Sequence, residues 1–404
     1  AMGEEANSGA TIETGSMKSG NLTRPQVDEL WECVRFAMAM ETDTTTTAPT
    51  PAHFSRGEFA QAVGRHRIDL SLNPVIDELG VNSYDAEIIK SRARRQQFSA
   101  MTLARETAEV VAILRRAQVR VLVMKGVALA LQTTGSISSR GVGDIDIWVS
   151  PDDLERTITE LEANGFSRRP GFAPQRFSSP AFRYSKWLLA EMPLSREYTA
   201  VDLHWWPLHV RNLMPSFEVA WARRVTFDIA GTQVDTLSAP DALTHSCSHA
   251  QQDGWFWLRS LVDIDRLART CPADSTIGGA GAIAPSASVT LAVTQSAYLR
   301  RLANRNAGRG RLFVDEARDN QRLAVRPDAT RWRPSLTWSE MRPRLRQSRH
   351  PVNLARVTAL SAIPPRIFLG VDGVSEVSVR KALLARVGRI GKRTAGEKYD
   401  NPAQ

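Results

Sequence analysis

The chain has 404 residues and a formal net charge of +9, with 42% apolar and 24% charged residues. This length allows two or three domains, the composition is that of an ordinary globular protein, and no uninterrupted apolar run of about 18 residues indicates a membrane span. Three scattered cysteines, Cys33, Cys247 and Cys271, are too few for a disulfide framework. With no recognisable secretory signal, we expect a cytoplasmic protein with no membrane partner.

Positive charge is concentrated in the last quarter of the chain. Residues 301–404 contain 22 Lys and Arg against 9 Asp and Glu, a net charge of +13, which leaves a net charge of −4 on residues 1–300. Such asymmetry suits a nucleic-acid or nucleotide partner, although a solvated basic surface is the commoner meaning. The apolar residues of this region favour docking on the rest of the protein over a free basic arm: Leu354, Val357, Leu360, Ile367, Phe368 and Leu369.

The predicted elements divide the chain into five regions and show no internal repeat. These regions are a disordered tag or leader (1–24), a helical N-terminal region with a Thr/Pro linker near 43–51 (25–115), a core of strands and helices (116–236), a helical C-terminal subdomain (237–300) and a basic C-terminal region (301–404).

Within these regions, hydrophobic periodicity and turn residues predict the individual elements. Helices are predicted at 24–40, 83–118, from 128, at 151–164, from 238, at 256–269 and at 377–390, strands at 119–124 and 144–149 with two more between 181 and 206, and loops at 135–143 and 275–288. The alternation of strand and helix in the middle of the chain favours an α+β fold with a small mixed sheet.

The sharpest local signal is a pair of acidic residues in the predicted strand 144–149. Alternate side chains of a strand share a face, so Asp144 and Asp146 point one way while Ile145 and Ile147 point into the core. The two Cα atoms would lie about 6.6 Å apart, which allows both carboxylates to bind one hard cation. Without a cation the two like charges would weaken the strand. An isolated D-x-D pair is, however, more often a solvent-facing strand end.

A third carboxylate is available in the run 201–205, where Asp202 and His204 share one face of a predicted strand. If this strand lies beside 144–149, Asp202 completes a metal site of three carboxylates. His204 then either binds substrate, orients Asp202 or packs in the strand.

The residues before the carboxylates suit phosphate binding. Gly126 follows a predicted strand and opens a helix, so that backbone N–H groups can approach a phosphate. Lys125 and Arg140 can neutralise the charge of a triphosphate. Gly135-Ser136, which also precedes the carboxylates, is an alternative phosphate contact.

These motifs, in this order, resemble a nucleotidyltransferase family of the polymerase-β-like superfamily over about residues 85–270. The resemblance rests on residues 123–130, Arg140 with 143–149, the run 201–205, and Pro240 to Leu243 with His245, His249 and 261–264. It implies that residues 116–236 are a catalytic core in which Asp144, Asp146 and Asp202 are catalytic and hold Mg²⁺ or Mn²⁺. Lys125, Gly126, Arg140 and His204 would bind the nucleotide.

The implied reaction transfers a nucleoside monophosphate from an NTP to an acceptor hydroxyl or phosphate. Members of the resembling family suggest an acceptor in an accessory biosynthetic pathway, such as a small molecule, peptide or glycan. The alternatives are a toxin-like transferase that modifies RNA, which the basic C-terminal region would suit, and a non-catalytic ligand-binding protein on the same fold. The sequence identifies neither the NTP nor the acceptor.

Weaker patterns have structural interpretations. His245, His249 and Asp253 follow one another at helical spacing, but capping or core hydrogen bonds are favoured over a zinc site. The tryptophans at 205, 206, 255 and 257 are expected in the core rather than stacked on a base.

Overall fold

The computed structural model describes residues 20–169, 176–271, 280–304, 308–323 and 350–362. The fold is α+β, a mixed sheet between helical N- and C-terminal regions, as predicted. The helices are α1 (Arg24–Met40), α2 (Glu58–Arg65), α3 (Asp69–Leu72), α4 (Ser83–Arg116), α5 (Gly126–Thr134), α6 (Leu154–Ala163), α7 (Pro180–Leu188), α8 (Phe217–Ala222), α9 (Ala239–Gln252), α10 (Leu258–Thr270), α11 (Ala280–Thr294), α12 (Arg300–Ala303), α13 (Gly310–Arg322) and α14 (Pro351–Ala362).

Seven strands form one sheet in the described part of the chain, in the order β3-β4-β5-β2-β1-β7-β6. They are β1 (Val121–Val123), β2 (Ile145–Val149), β3 (Ser167–Arg168), β4 (Glu191–Arg196), β5 (Thr199–His204), β6 (Val225–Ile229) and β7 (Thr232–Thr236). β2 is central: it runs antiparallel to β1 and parallel to β5. The sheet is therefore mixed, and its middle strand carries the D-x-D motif.

The two faces of β2 belong to different hydrophobic clusters. Ile145 and Ile147 pack with Val201 and Leu203 of β5 in one cluster, which also contains residues of α4 and α6. Trp148 belongs to a second, larger cluster with residues of α1, α9 and α10. The alternation predicted for this strand is confirmed, and the acidic residues share the face that looks toward the helical regions.

Several element predictions need correction. The loop predicted over 275–288 is wrong from residue 280, because α11 begins there and buries Ile283, Ala287 and Val289. Its small residues pack closely against α9 and α10, so that low side-chain volume here indicates a tight helix contact rather than a loop. Helix α7 was missed beside the two strands found between 181 and 206, and the hairpin of β6 and β7 was missed entirely.

The described part of the basic C-terminal region is docked rather than free, as predicted. Val357 and Leu360 of α14 are buried, whereas Leu354 is half exposed. The Arg356 guanidinium donates hydrogen bonds to the backbone carbonyl oxygens of Trp187, Leu188 and His209. The helix predicted over 377–390 and the apolar residues Ile367, Phe368 and Leu369 lie outside the described residues, as does most of the predicted leader.

Candidate active site

Strand pairing brings the predicted carboxylates together. β2 and β5 are parallel neighbours, and the register places Asp146 directly beside Asp202. Asp144 immediately precedes β2 rather than lying within it as predicted, and it remains on the same side as Asp146 at the start of the strand. All three residues line one cavity of about 570 Å³. The sequence predicted that Asp202 joins the site if its strand lies beside β2, and the two strands are neighbours.

His204 lies between two acidic side chains two residues after Asp202. Its Nε2 is 3.4 Å from Asp146 Oδ1, and its Nδ1 is 3.2 Å from Glu191 Oε2. These are ion-pair distances without good hydrogen-bond angles, and neither ring nitrogen has a hydrogen-bond partner among the described residues. Burial lowers the pKa of His204, but the negative charge of Glu191 and Asp146 outweighs it and raises the pKa overall. His204 therefore acts as a buried counterion of the acidic cluster.

Lys125 and Gly126 stand at the start of α5, directly above the carboxylates. The Met124 N–H donates to the carbonyl oxygen of Asp146, which fixes the end of β1 against β2. Lys125 Nζ is consequently 3.8 Å from Asp146 Oδ1. Gly126 has a φ of +59°, a conformation that favours glycine, and lies beside the backbone of Asp144.

The alternative phosphate contact, Gly135-Ser136, lies at the opposite end of α5 from Gly126. Gly135 is the C-cap of α5, with a φ of +74°. Nine helical residues, or about 13 Å, separate it from Gly126. Gly126, Gly135 and Ser136 do not line the cavity, whereas Lys125, the neighbour of Gly126, does.

Arg140 lines the cavity but is already paired. Its Nε donates to both carboxylate oxygens of Asp263 on α10, at 3.1 and 3.0 Å. Both side chains are buried. The pair connects the loop before β2 to the C-terminal helices, so that part of the charge predicted to meet a triphosphate is compensated within the protein.

The cavity has two walls of opposite charge. We call the side chains of Asp144, Asp146, Glu191 and Asp202 the carboxylate wall. We call those of Arg67, Arg140 and Arg259 the arginine wall. The two walls share the cavity with Gln96, Trp257 and Ser260 among others.

Burial and mutual repulsion shift the pKa values of the aspartates in the carboxylate wall. Burial, together with the charges of Glu191, Asp146 and Asp144, raises the pKa of Asp202 to about 7. Loss of hydration inside the cavity and the charge of Asp146 raise the pKa of Asp144. Burial would also raise the pKa of Asp146, but Lys125 and His204 overcome it and hold that pKa well below its usual range. Of the three aspartates, Asp146 is thus the one whose ionised form is favoured overall by neighbouring protein groups.

The donor set fits a divalent cation, although the side chains are not gathered around one. Among the described residues no three His, Cys, Asp or Glu side chains come together as a complete metal-binding group. Three carboxylates on adjoining backbone positions, two of them with raised pKa values, are nevertheless hard oxygen donors whose repulsion Mg²⁺ or Mn²⁺ would relieve.

The histidines of α9 have local partners. His245 is buried with its Nε2 3.1 Å from the carbonyl oxygen of Pro207, and burial and Lys125 lower its pKa well below the usual value. His249 Nδ1 is 3.3 Å from Asp253 Oδ2. Their hydrogen-bonding interpretation agrees with these contacts. Of the tryptophans expected in the core, Trp205 and Trp255 are buried there, whereas Trp257 lines the cavity.

Comparison with known proteins decides the family. The sequence model of a family described as "Uncharacterised nucleotidyltransferase" matches residues 53–302, which is more than half of the chain. The chain belongs to this family. No curated protein matches it significantly.

One solved structure that is similar to this chain is an antigenic nucleotidyltransferase-like protein from Paracoccidioides brasiliensis. Its sequence is 14% identical, the match covers 58% of this chain and 95% of that protein, and the TM-score is 0.28.

The sequence analysis missed several polar residues that line the cavity, among them Arg67, Gln96, Glu191 and Arg259. Glu191 was within reach of prediction, because the turn after β4 folds that strand back on β5 and places Glu191 opposite His204. Arg67, Gln96 and Arg259 come from distant helical segments and are in no motif. Only tertiary packing reveals them.

Proposed function

We propose that the protein transfers a nucleoside monophosphate from an NTP, bound with Mg²⁺ or Mn²⁺, to an acceptor hydroxyl or phosphate group. The observation that carries this proposal is the register that sets Asp146 beside Asp202, with Lys125 and Gly126 adjoining. Membership of the nucleotidyltransferase family supports the reaction class.

In this proposal Asp144 and Asp146 hold the metal ion and Asp202 completes the site. The bound ion would offset the charge of the carboxylates and polarise the α-phosphate. Lys125 would move from Asp146 to the phosphates, and the N–H groups at the start of α5 would bind phosphate oxygens near Gly126. Arg140 and His204 act next to the nucleotide, held by Asp263 and by the acidic cluster respectively.

The proposed transfer forms one bond to the α-phosphorus and breaks another. The acceptor oxygen attacks the α-phosphorus, the bond from that phosphorus to the oxygen bridging to the β-phosphate breaks, and pyrophosphate leaves with the electron pair. The acceptor proton passes to the Asp202 carboxylate and then to water.

We propose a small molecule, peptide or glycan as the acceptor in preference to RNA. Glu191 lines the cavity beside the three aspartates proposed to hold the metal ion, and its additional negative charge would repel an RNA backbone. Helix α14 of the basic C-terminal region uses Arg356 to bind backbone carbonyl oxygens, so that this charge is not presented as a free arm.

The test is transfer of radiolabel. The full-length protein is incubated with each of the four NTPs, labelled on the α- or the γ-phosphate, with Mg²⁺ and pools of hydroxyl-bearing small molecules, peptides, glycans or RNA. Label from the α-phosphate should enter one acceptor pool, and label from the γ-phosphate should enter pyrophosphate only. Acceptor labelling from the γ-phosphate would show a kinase instead. Nucleotide binding with no transfer to any pool would favour the non-catalytic alternative.

A further inference from the structure

Arg259 is a cation with an incomplete set of partners at the edge of the cavity. It lies in the first turn of α10, and its Nη1 donates to the carbonyl oxygen of Gly141 at 2.9 Å. Its Nε is buried and has no hydrogen-bond partner among the described residues. Burial and the neighbouring charge of Arg140 lower the pKa of Arg259 to about 9. A buried guanidinium donor of this kind is costly unless a ligand accepts its hydrogen bond.

Arg67 extends the same wall to the cavity rim. It follows α2 in a turn with a φ of 57°, and its guanidinium lies 4.1 Å from the ring centroid of Trp257. Trp257 immediately precedes α10, so this contact sets Arg67 beside the turn that carries Arg259. Arg67 is exposed to solvent.

The charge of Arg259 is less well compensated than that of Arg140. Asp263 forms an ion pair with Arg140, whereas among the described residues the side chain of Arg259 donates to the carbonyl oxygen of Gly141 and its Nε has no partner. The charges of Arg140 and Arg259 both act on Asp144 and favour its ionised form. The Arg259 guanidinium therefore adjoins the Asp144 end of the carboxylate wall.

We propose that Arg259 and Arg67 bind the β- and γ-phosphates of the NTP and hold pyrophosphate as it leaves. This inference rests on the proposed function, because it assigns the leaving-group side of the same cavity. Guanidinium groups form paired hydrogen bonds with phosphate oxygens, and they stabilise the charge that accumulates on the bridging oxygen as its bond to the α-phosphorus breaks. The carboxylate wall then faces the α-phosphate and the acceptor.

Inorganic pyrophosphate is the probe for this site, because its binding needs neither an acceptor nor turnover. Its affinity for the full-length protein is measured by titration calorimetry with Mg²⁺ present, for the wild type and for Arg259→Gln, Arg67→Gln and the control Arg94→Gln. Arg94 is an exposed arginine of α4 that does not line the cavity. We expect the dissociation constant to rise about 10-fold in Arg259→Gln and several-fold in Arg67→Gln, and to stay unchanged in the control.

Two further measurements keep the result interpretable. Thermal unfolding shows whether Arg259→Gln is folded; if it is not, Arg67→Gln at the exposed rim and Arg259→Lys decide, and we expect Arg259→Lys to bind pyrophosphate with intermediate affinity. The affinity for the nucleoside monophosphate should not change in any variant. Unchanged pyrophosphate binding in both Arg67→Gln and the folded Arg259 variant would overturn the inference.

The outcome is separable from that of the proposed function. Pyrophosphate binding that depends on both arginines, in a protein that transfers no nucleotide, would support the phosphate site and reject the transferase. Transfer activity in which these variants raise the KM of the acceptor alone, with pyrophosphate affinity unchanged, would support the transferase and assign the arginine wall to the acceptor instead.

Discussion

The two walls of the cavity differ in how their charges are held. The carboxylate wall is built on neighbouring strands, where β2 and β5 fix the spacing of Asp146 and Asp202. The arginine wall is assembled from a turn, a loop and the first turn of α10, and it depends on contacts such as Arg140 with Asp263. Fixed like charges repel within each wall, so neither is satisfied by the protein alone. An NTP with a bound metal ion would supply the cation that the carboxylate wall lacks and the phosphate charge that the arginine wall lacks.

The largest expected effect comes from neutralising the carboxylate wall. We expect Asp146→Asn to reduce nucleotide transfer by about 10³-fold or more, because the metal ion loses a ligand while the side-chain shape is kept. Asp144→Asn should have a similar effect. Transfer is measured with α-labelled NTP in steady state. The matched control is Asp77→Asn, whose exposed carboxylate pairs with Lys90 at the surface and lies outside the cavity. Near-normal turnover of either site variant would contradict the assigned role of the pair.

Breaking the ion pair of the arginine wall should instead reduce stability. We expect Asp263→Asn to lower the free energy of unfolding by about 3 kcal/mol, because it leaves the buried Arg140 guanidinium without its counter-charge. Chemical denaturation measures the change. The double variant Arg140→Gln/Asp263→Asn should be less destabilised than the sum of the two single variants. Additive effects would mean that the pair does not stabilise this wall.

Lowering the pH should reduce the free energy of unfolding through His66, a residue that contacts the arginine wall. This buried residue accepts a hydrogen bond at its carbonyl oxygen from the Arg259 N–H. Burial, helped by Arg65, lowers the pKa of His66 to about 4 from an ordinary 6.5. Between these values the unfolded chain binds a proton that the native protein excludes. Stability should therefore fall by up to about 3 kcal/mol as the pH decreases from 6.5 to 4.

The measurement compares the pH dependence of unfolding in the wild type and in His66→Gln. The variant cannot take up the proton, so its unfolding free energy should change less over this range, even if it is less stable at pH 7. The exposed His53 supplies the control variant His53→Gln, which should retain the wild-type dependence on pH. Equal pH dependence in the wild type and His66→Gln would show that His66 is not the group responsible.

The smallest effect concerns the docked C-terminal helix, which belongs to neither wall. We expect Arg356→Gln to cost about 1–2 kcal/mol of unfolding free energy, because three backbone carbonyl oxygens lose their donor. RNA binding of the wild type should be weak, and the variant should not change it. Tight RNA binding, with a salt dependence that indicates several phosphate contacts and is lost on deletion of residues 301–404, would favour an RNA-modifying transferase.

The contrast between the walls also explains what the sequence could predict. Asp144, Asp146 and Asp202 lie in short alternating runs, where period 2 fixes the shared face and leaves only strand adjacency open. Arg259 and Arg67 are separated by nearly half of the chain and meet through the stacking of Arg67 on Trp257, which no local pattern encodes. Arg140 was identified as a cation of the site, but its partner Asp263 could not be known before α10 was placed against the loop.

Helix α11 was missed for a related reason. Its interior contains Pro285 and many small residues, which locally favour a turn. The helix is stabilised by burial, and Ser286 Oγ accepts a hydrogen bond from Trp255 Nε1 and donates one to the carbonyl oxygen of Cys247. Tertiary packing decided the conformation where local propensity was weak.

The central claim, that a metal ion joins nucleotide and carboxylate wall, is tested most directly by NTP binding with and without metal. Each NTP is titrated into wild-type protein and Asp146→Asn by calorimetry, in Mg²⁺ and in EDTA. We predict that at least one NTP binds the wild type in Mg²⁺, and that affinity falls at least 10-fold in EDTA or in the variant. Equal affinity in Mg²⁺ and EDTA, unchanged by Asp146→Asn, would contradict the claim.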